Sequence, residues 1–361
     1  MSKKQTKKYA QVVILGLAIL ILVLSIVFTR PISDTIKQAL YKADIKVSSQ
    51  DMVVHYINVG QGDAIAISFP DDKVMLIDSG PKDSQNILLK YLKTEVMKSS
   101  NNSTIDYVIL THPDIDHSGG MSCVFAEFSV KKFFRPNIAS KSEDDEFEIK
   151  STSEEYDEVI KLSQNEDGLI TKVVREEITF TIGEALIEIL PPIKQYSTTN
   201  AMSCLTKITY HGKSFLFTGD IQEESEQDML DYYGERLNAD VLKVAHHGSK
   251  TSTGKQFVDA VTPEYAVICV GPNNYGHPHF TTISTLENAG VEVLTTLTED
   301  VRFVCGPEMF GVLEPETTHS FEFINWWIIA LFLIILLLYK LIKLIVLLVK
   351  ENANQCAKDL K

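Results

Sequence analysis

Within six positions of the stretch THPDIDHSGG (residues 111–120), His112, Asp114, Asp116 and His117 offer two imidazoles and two carboxylates. They follow directly on the apolar run Tyr107-Val108-Ile109-Leu110, which reads as a buried strand. A loop leaving a packed strand is a good place for metal ligands, because the strand fixes their geometry. Positions 112 and 114 can converge on one divalent ion while 116 and 117 turn toward a second. Two ions about 3.5–4 Å apart would share a hydroxide and polarise a phosphate or carbonyl centre, which is hydrolytic chemistry.

The elements that must position these groups follow from periodicity. Strands are expected at 51–59, 63–69, 74–80 and 105–111, and again at 178–181, 186–190, 205–210, 215–220, 240–249, 265–271 and 291–296. Gly60-Gln61-Gly62 joins the first two, and His211-Gly212-Lys213 reads as a hairpin turn. Residues 86–98 have helical spacing, a second helix is expected from Met121, and the acidic segment 141–168 reads as a surface helix with loops. Strands first, then strands mixed with helices, imply sheets packed on one another and covered by helices.

The chain has 361 residues and a net charge of −14, which argues against holding nucleic acid mainly by phosphate neutralisation. A polyanionic substrate would have to be held locally, by metal. The five cysteines show no metal-like spacing. Residues 10–29 are uncharged and reach the ~20 residues a spanning helix needs. Residues 323–349 are apolar after Trp326-Trp327, apart from Lys340 and Lys343. Lys3, Lys4, Lys7 and Lys8 precede the first and Lys350, Lys358 and Lys361 follow the second, while Glu314, Glu316 and Glu322 precede the second, so the positive-inside rule puts both termini in the cytoplasm. The expected organisation is a basic N-terminus (1–9), a transmembrane anchor (10–29), a linker (30–50), an extracellular domain (51–315), a C-terminal transmembrane helix (323–349) and a cytoplasmic tail (350–361).

Five blocks in order, NVGQGDA (58–64), THPDIDHSGG (111–120), FTGD (217–220), LKVAHHGS (242–249) and NNYGHPH (273–279), resemble the metallo-β-lactamase fold superfamily. Within it, the likeness is to the extracellular hydrolase domain of ComEC-type competence proteins, over about residues 54–304. The resemblance implies an α+β fold, an αββα sandwich with a dinuclear metal site at its rim, here expected between two flanking transmembrane helices. It implies His112 and Asp114 as ligands of the first ion, Asp116 and His117 as ligands of the second, and Asp220 as the bridging carboxylate. His246 or His247 matches the last histidine ligand; His246 is favoured, which leaves His247 near substrate. His277 is a candidate for the substrate or leaving group, and Asp116, His277 and His247 make up the expected catalytic set.

Two departures from the family pattern stand out. No histidine precedes the bridging aspartate, where the chain reads Asn200-Ala-Met-Ser203, so the first ion is expected to be weakly held. Asn58 stands where the competence branch has aspartate. Asp63 and Asp78, at strand ends, are expected to support the ligands. With mixed imidazole and carboxylate ligands, the two divalent ions are expected to be zinc or manganese. The expected activity is that of a membrane-anchored hydrolase, a phosphodiesterase or nuclease acting on DNA or a cell-wall polymer. The alternatives are a non-catalytic envelope binding or assembly module with a degenerate site, and an accessory component of DNA uptake.

Overall fold

The computed structural model describes residues 47–97, 103–143 and 149–313, with a few helical positions between 342 and 350. Val47–Pro315 forms one compact unit. Its first sheet begins with β1 (Met52–Tyr56), β2 (Ile65–Ser68), β3 (Val74–Ile77), β4 (Thr104–Ile109), β5 (Ser129–Pro136) and β6 (Ile170–Val174). The second contains β7 (Ile178–Ile182), β8 (Ala185–Leu190), β9 (Leu205–Tyr210), β10 (Lys213–Phe217), β11 (Val241–Lys243), β12 (Tyr265–Ile268) and β13 (Glu292–Thr295). β14 (Val301–Cys305) and β15 (Phe310–Leu313) return to the first sheet, giving the orders β15-β14-β1-β2-β3-β4-β5-β6 and β13-β12-β11-β10-β9-β8-β7.

Strand alternation explains the layering. Met52, Val54 and Tyr56 of β1 and Phe215 and Phe217 of β10 point into one core between the sheets. Leu216, between the two phenylalanines, points the other way, into a core shared with helices. α1 (Gln85–Tyr91), α2 (Ile115–Ser118), α3 (Met121–Glu127) and α4 (Glu154–Asn165) lie in the segments between the strands of the first sheet. Leu88, Met121, Val124, Tyr156 and Val159 from these helices share a core with Ala66, Leu76 and Val108 of that sheet. α5 (Glu223–Tyr233), α6 (Lys255–Val261) and α7 (Phe280–Asn288) bury Met229, Phe257 and Leu286 on the outer face of the second. The result is an αββα sandwich.

The expectation of transmembrane helices, and with it a membrane-anchored, extracellular domain, is corrected. Among the described residues no helix is long and apolar enough to cross a membrane. The longest element among the described residues, α4, has 12 residues, against the ~20 a span needs. The stretches 10–29 and 323–349 lie outside the described residues.

Two local differences bear on the site. The helix expected over 86–98 breaks after α1 into a π-helical turn at Leu92–Val96. The strand expected over 240–249 ends at Lys243, because His246 (φ 50°) and His247 (φ 53°) both adopt left-handed backbone and turn the chain across the sheet ends.

Candidate metal centre

The cluster forms where β3, β4, β10 and β11 end, parallel pairs from both sheets. β4 delivers His112, and α2 presents Asp116 and His117. A Thr218-Gly219 turn after β10 delivers Asp220, and the left-handed pair after β11 delivers His246 and His247. The turn needs glycine: Gly219 has φ +52°, and a Cβ there would lie 2.9 Å from both Ser203 and Thr111. Gly62 is needed for a different reason, since a Cβ there would sit 2.3 Å from the Asp116 carbonyl oxygen. That close approach lets Asp63 N donate to the same carbonyl at 3.1 Å, so NVGQGDA clamps the ligand loop.

Four groups converge. His247 Nε2 lies 3.0 Å from Asp116 Oδ2, 3.3 Å from Asp220 Oδ2 and 3.3 Å from His117 Nε2. His117 Nε2 lies 3.2 Å from Asp220 Oδ1. Asp116, His117, Asp220 and His247 each place one ligand atom within 4.8 Å of the others, and so do Asp63, Asp78 and His117. The first group, with His112 and Asp114 beside it, is consistent with a site for two divalent ions; in the second, His117 and Thr111 already bond to Asp78.

Hydrogen bonds set which imidazole nitrogen faces inward. His117 Nδ1–H donates to Asp78 Oδ2 at 2.7 Å, and His247 Nδ1–H donates to the Cys269 carbonyl at 2.8 Å. Both therefore turn Nε2 to the cluster, the outer-shell arrangement typical of metal-bound histidine. Asp78 also accepts from Thr111 N (2.8 Å) and Thr111 Oγ1 (2.7 Å). With its proton committed to Asp78, Thr111 Oγ1 accepts from His112 Nδ1–H at 3.0 Å. His112 Nε2 is left as a bare acceptor, buried and without a hydrogen-bond partner. A buried lone pair that nothing satisfies fits a metal ligand.

On this side the grouping is looser. Asp114 Oδ2 is 3.9 Å from His112 Nε2, and its side chain is 39% exposed. Thr199 Oγ1 donates to Asp114 Oδ1 at 2.7 Å. His246 Nε2 is 3.8 Å from Asp220 Oδ2 and accepts from Asn200 Nδ2 at 3.2 Å. The structure therefore draws His247 into the four-residue cluster and leaves the favoured His246 at its edge. His277 stands behind them, its ring 5.5 Å from that of His246 and 6.5 Å from that of His247, with Nδ1 buried and unpartnered.

Charge divides the histidines. Burial opposes charging His117 and His247, but Asp220 heads the carboxylates that outweigh it, and both sit well above the usual imidazole range. Burial and neighbouring histidines push His112 and His277 down; burial, with the His247 and Lys243 charges, does the same to His246. Burial acts against the ionised form of Asp116 and Asp220 too, yet the two histidines hold both carboxyls below their ordinary value.

Lys243 stands among the cluster's carboxylates although spacing alone did not single it out. It is fully buried, pairs with Asp63, lies 3.6 Å from Asp220 Oδ1 and donates to Gly219 O at 2.9 Å. Its ammonium holds the turn that delivers Asp220 and already occupies Asp63, so the Asp63–Asp78 side supports the four-residue cluster. The available signal was a lone lysine inside the apolar run Val241-Leu242-Lys243-Val244, which demands a buried partner. Asn58 proves to be a turn residue: its N donates to Asp300 Oδ1 and its Oδ1 accepts from Gly60 N.

A sandwich of this topology, with Asp and His side chains able to hold metal gathered at the strand ends, supports a member of a hydrolase family. The description Metallo-beta-lactamase superfamily matches residues 57–271, and the chain belongs to that superfamily. Among individual relatives, it is similar to ComE operon protein 3 of Bacillus subtilis (strain 168), with 29% identity over 69% of this chain and 32% of the relative. It is also similar to Recombination protein 2 of Haemophilus influenzae, with 26% identity over 67% of this chain and 27% of the relative. The chain thus spans between about a quarter and a third of the length of these curated relatives. Among solved structures, the metallo-beta-lactamase fold protein YhfI from Bacillus subtilis matches 70% of this chain and 99% of its own, at 15% identity and a TM-score of 0.43.

Proposed function

We propose that the domain is a phosphodiesterase dependent on two divalent ions, with zinc or manganese suited to its mixed imidazole and carboxylate ligands. The observation that carries this reading is the convergence of Asp116, His117, Asp220 and His247 from separate segments of both sheets. These four would hold one ion, with Asp220 also facing the other, and His112 and Asp114 would complete the second position. When bound, such ions supply an acidified water at neutral pH and neutralise charge on phosphate oxygens.

The chain's own residues do the rest. Asp78 and the Cys269 carbonyl hold His117 and His247 so that Nε2 faces inward. Lys243 anchors the Gly219 carbonyl and so the turn that carries Asp220. His277, its pKa pushed down by burial and the neighbouring histidines, would offer its unpartnered Nδ1 as a proton acceptor beside His246 and His247. The likeness to competence proteins supports a nucleic-acid phosphodiester as substrate.

Asn200 favours a second reading, a binding module with a degenerate site, because its amide occupies His246 Nε2 where the family pattern has a further histidine. Elemental analysis of the purified full chain, followed by turnover of a phosphodiester with added zinc or manganese, separates the two. Bound metal with chelator-sensitive hydrolysis is the expected result. Metal binding without hydrolysis of any phosphodiester would establish the module instead.

A further inference from the structure

The loop between β12 and α7 carries exposed rings that the hydrolytic reading leaves without a task. Tyr275 is 76% exposed and Phe280, the first residue of α7, is 77% exposed. Isolated exposed apolar residues are common and need no explanation. Tyr275, however, stands on a pinned backbone. Asn273 Nδ2 donates to Gly271 O (2.9 Å) and His277 O (2.8 Å), while its Oδ1 accepts from Tyr275 N (3.0 Å) and His277 N (3.1 Å). One side-chain amide thus spends all its hydrogen-bonding capacity on holding this loop.

From Tyr275 a file of rings leads inward. Its ring lies 5.8 Å from His277 at 33°, and His277 contacts both His246 and His247. The outermost ring is therefore two ring contacts from the four-residue cluster. Whatever phosphodiester the cluster receives, a group attached to it would meet this file. The chain's net charge of −14 leaves little scope for affinity from phosphate neutralisation. Stacking does not depend on charge, and an aromatic platform is worth roughly tenfold in affinity per nucleobase. A polyol-phosphate polymer has no planar face to offer.

We propose that Tyr275 is a stacking platform for an unpaired nucleobase beside the phosphodiester at the cluster. This rests on the phosphodiesterase reading and adds the base to the phosphate. The test compares the manganese-loaded full chain with Tyr275→Ala and Tyr275→Phe on oligothymidylate and on an abasic oligomer of equal length. The ratio of kcat/KM for oligothymidylate over the abasic oligomer should fall about tenfold in Tyr275→Ala, chiefly through KM, and return in Tyr275→Phe. An unchanged ratio, or turnover confined to a polyol-phosphate polymer, would overturn the proposal. Binding is read separately, as quenching of a 2-aminopurine oligonucleotide. Quenching that is lost in Tyr275→Ala and kept in Tyr275→Phe supports the platform even if no phosphodiester is hydrolysed, in which case only the catalytic reading fails. Equal quenching in all three proteins rejects the platform.

Discussion

Two sets of candidate ligands gather around Asp220 and differ in how they are held: His117 and His247 in one, His112, Asp114 and His246 in the other. The first pair is almost wholly buried, each Nδ1 is tied to an acceptor, and the loop beneath is clamped through Asp63 and Gly62. The second set mixes a buried histidine, an aspartate 39% exposed and a histidine already engaged by Asn200. A ligand held by its outer shell loses little freedom on binding metal, whereas one that must drop a partner or reorient pays for it in affinity. The two halves are therefore expected to hold metal with different strength, the His117–His247 half more tightly.

The largest effect that would break this comparison comes from cutting each half in turn. Asp220→Ala should reduce metal content and hydrolysis to background, because both halves face that carboxylate. Asp114→Ala should leave one tightly held ion per chain and lower activity only in part. Metal stoichiometry and turnover on the same preparations check this, with a circular dichroism spectrum to confirm folding. Equal losses in the two variants would mean that the halves do not differ.

A smaller effect sharpens it. Asp78 touches no proposed ion, yet it receives His117 Nδ1–H and two bonds from Thr111, which in turn orients His112. Asp78→Asn keeps the shape and weakens the acceptor, so metal affinity should fall about 10- to 100-fold with the fold intact. Competition against a chelator of known affinity measures it. An unaltered affinity would show that packing alone orients the histidines.

How much of this was legible in the chain depends on whether a signal was local. HPDIDH after an apolar run pointed to candidate ligands because all four lie within six residues, and two of them, Asp116 and His117, enter the four-residue cluster. Asp78 and Asp63 were readable as helpers from their strand-end positions. The choice between His246 and His247 was not, since it depends on two consecutive left-handed residues, and backbone φ does not show in residue type when neither residue is glycine. Lys243 escaped because a buried lysine looks like any other until its carboxylate partners, distant in sequence, fold against it. For the fold, the alternating strands were visible, whereas β6 was missed because it is a mostly exposed edge strand without a buried alternation. β5 hid behind the helix before it.

The smallest effect is also the most specific to the difference between the halves. In the metal-free protein the pKa values of His117 and His247 are raised, so both carry a proton at pH 7 that a metal ion must displace; those of His112 and His246 are lowered, so neither does. Tight binding should then release protons at pH 7 and strengthen as pH rises, while the weaker binding should release few. Titration calorimetry in buffers of different ionisation enthalpy reads the proton count for each phase. The stability of the metal-free protein carries the opposite sign. A raised folded pKa contributes stability that is fully present below the ordinary imidazole value of about 6.5 and is lost as pH climbs through the raised value. Melting temperature without metal should accordingly drop on going from neutral to alkaline pH, and added metal should remove that drop, because the ion replaces the two protons among the same carboxylates. A metal-free melting temperature that is flat or rising over that range would show that the carboxylates around His117 and His247 do not hold those protons, and the electrostatic half of the comparison would fall with it.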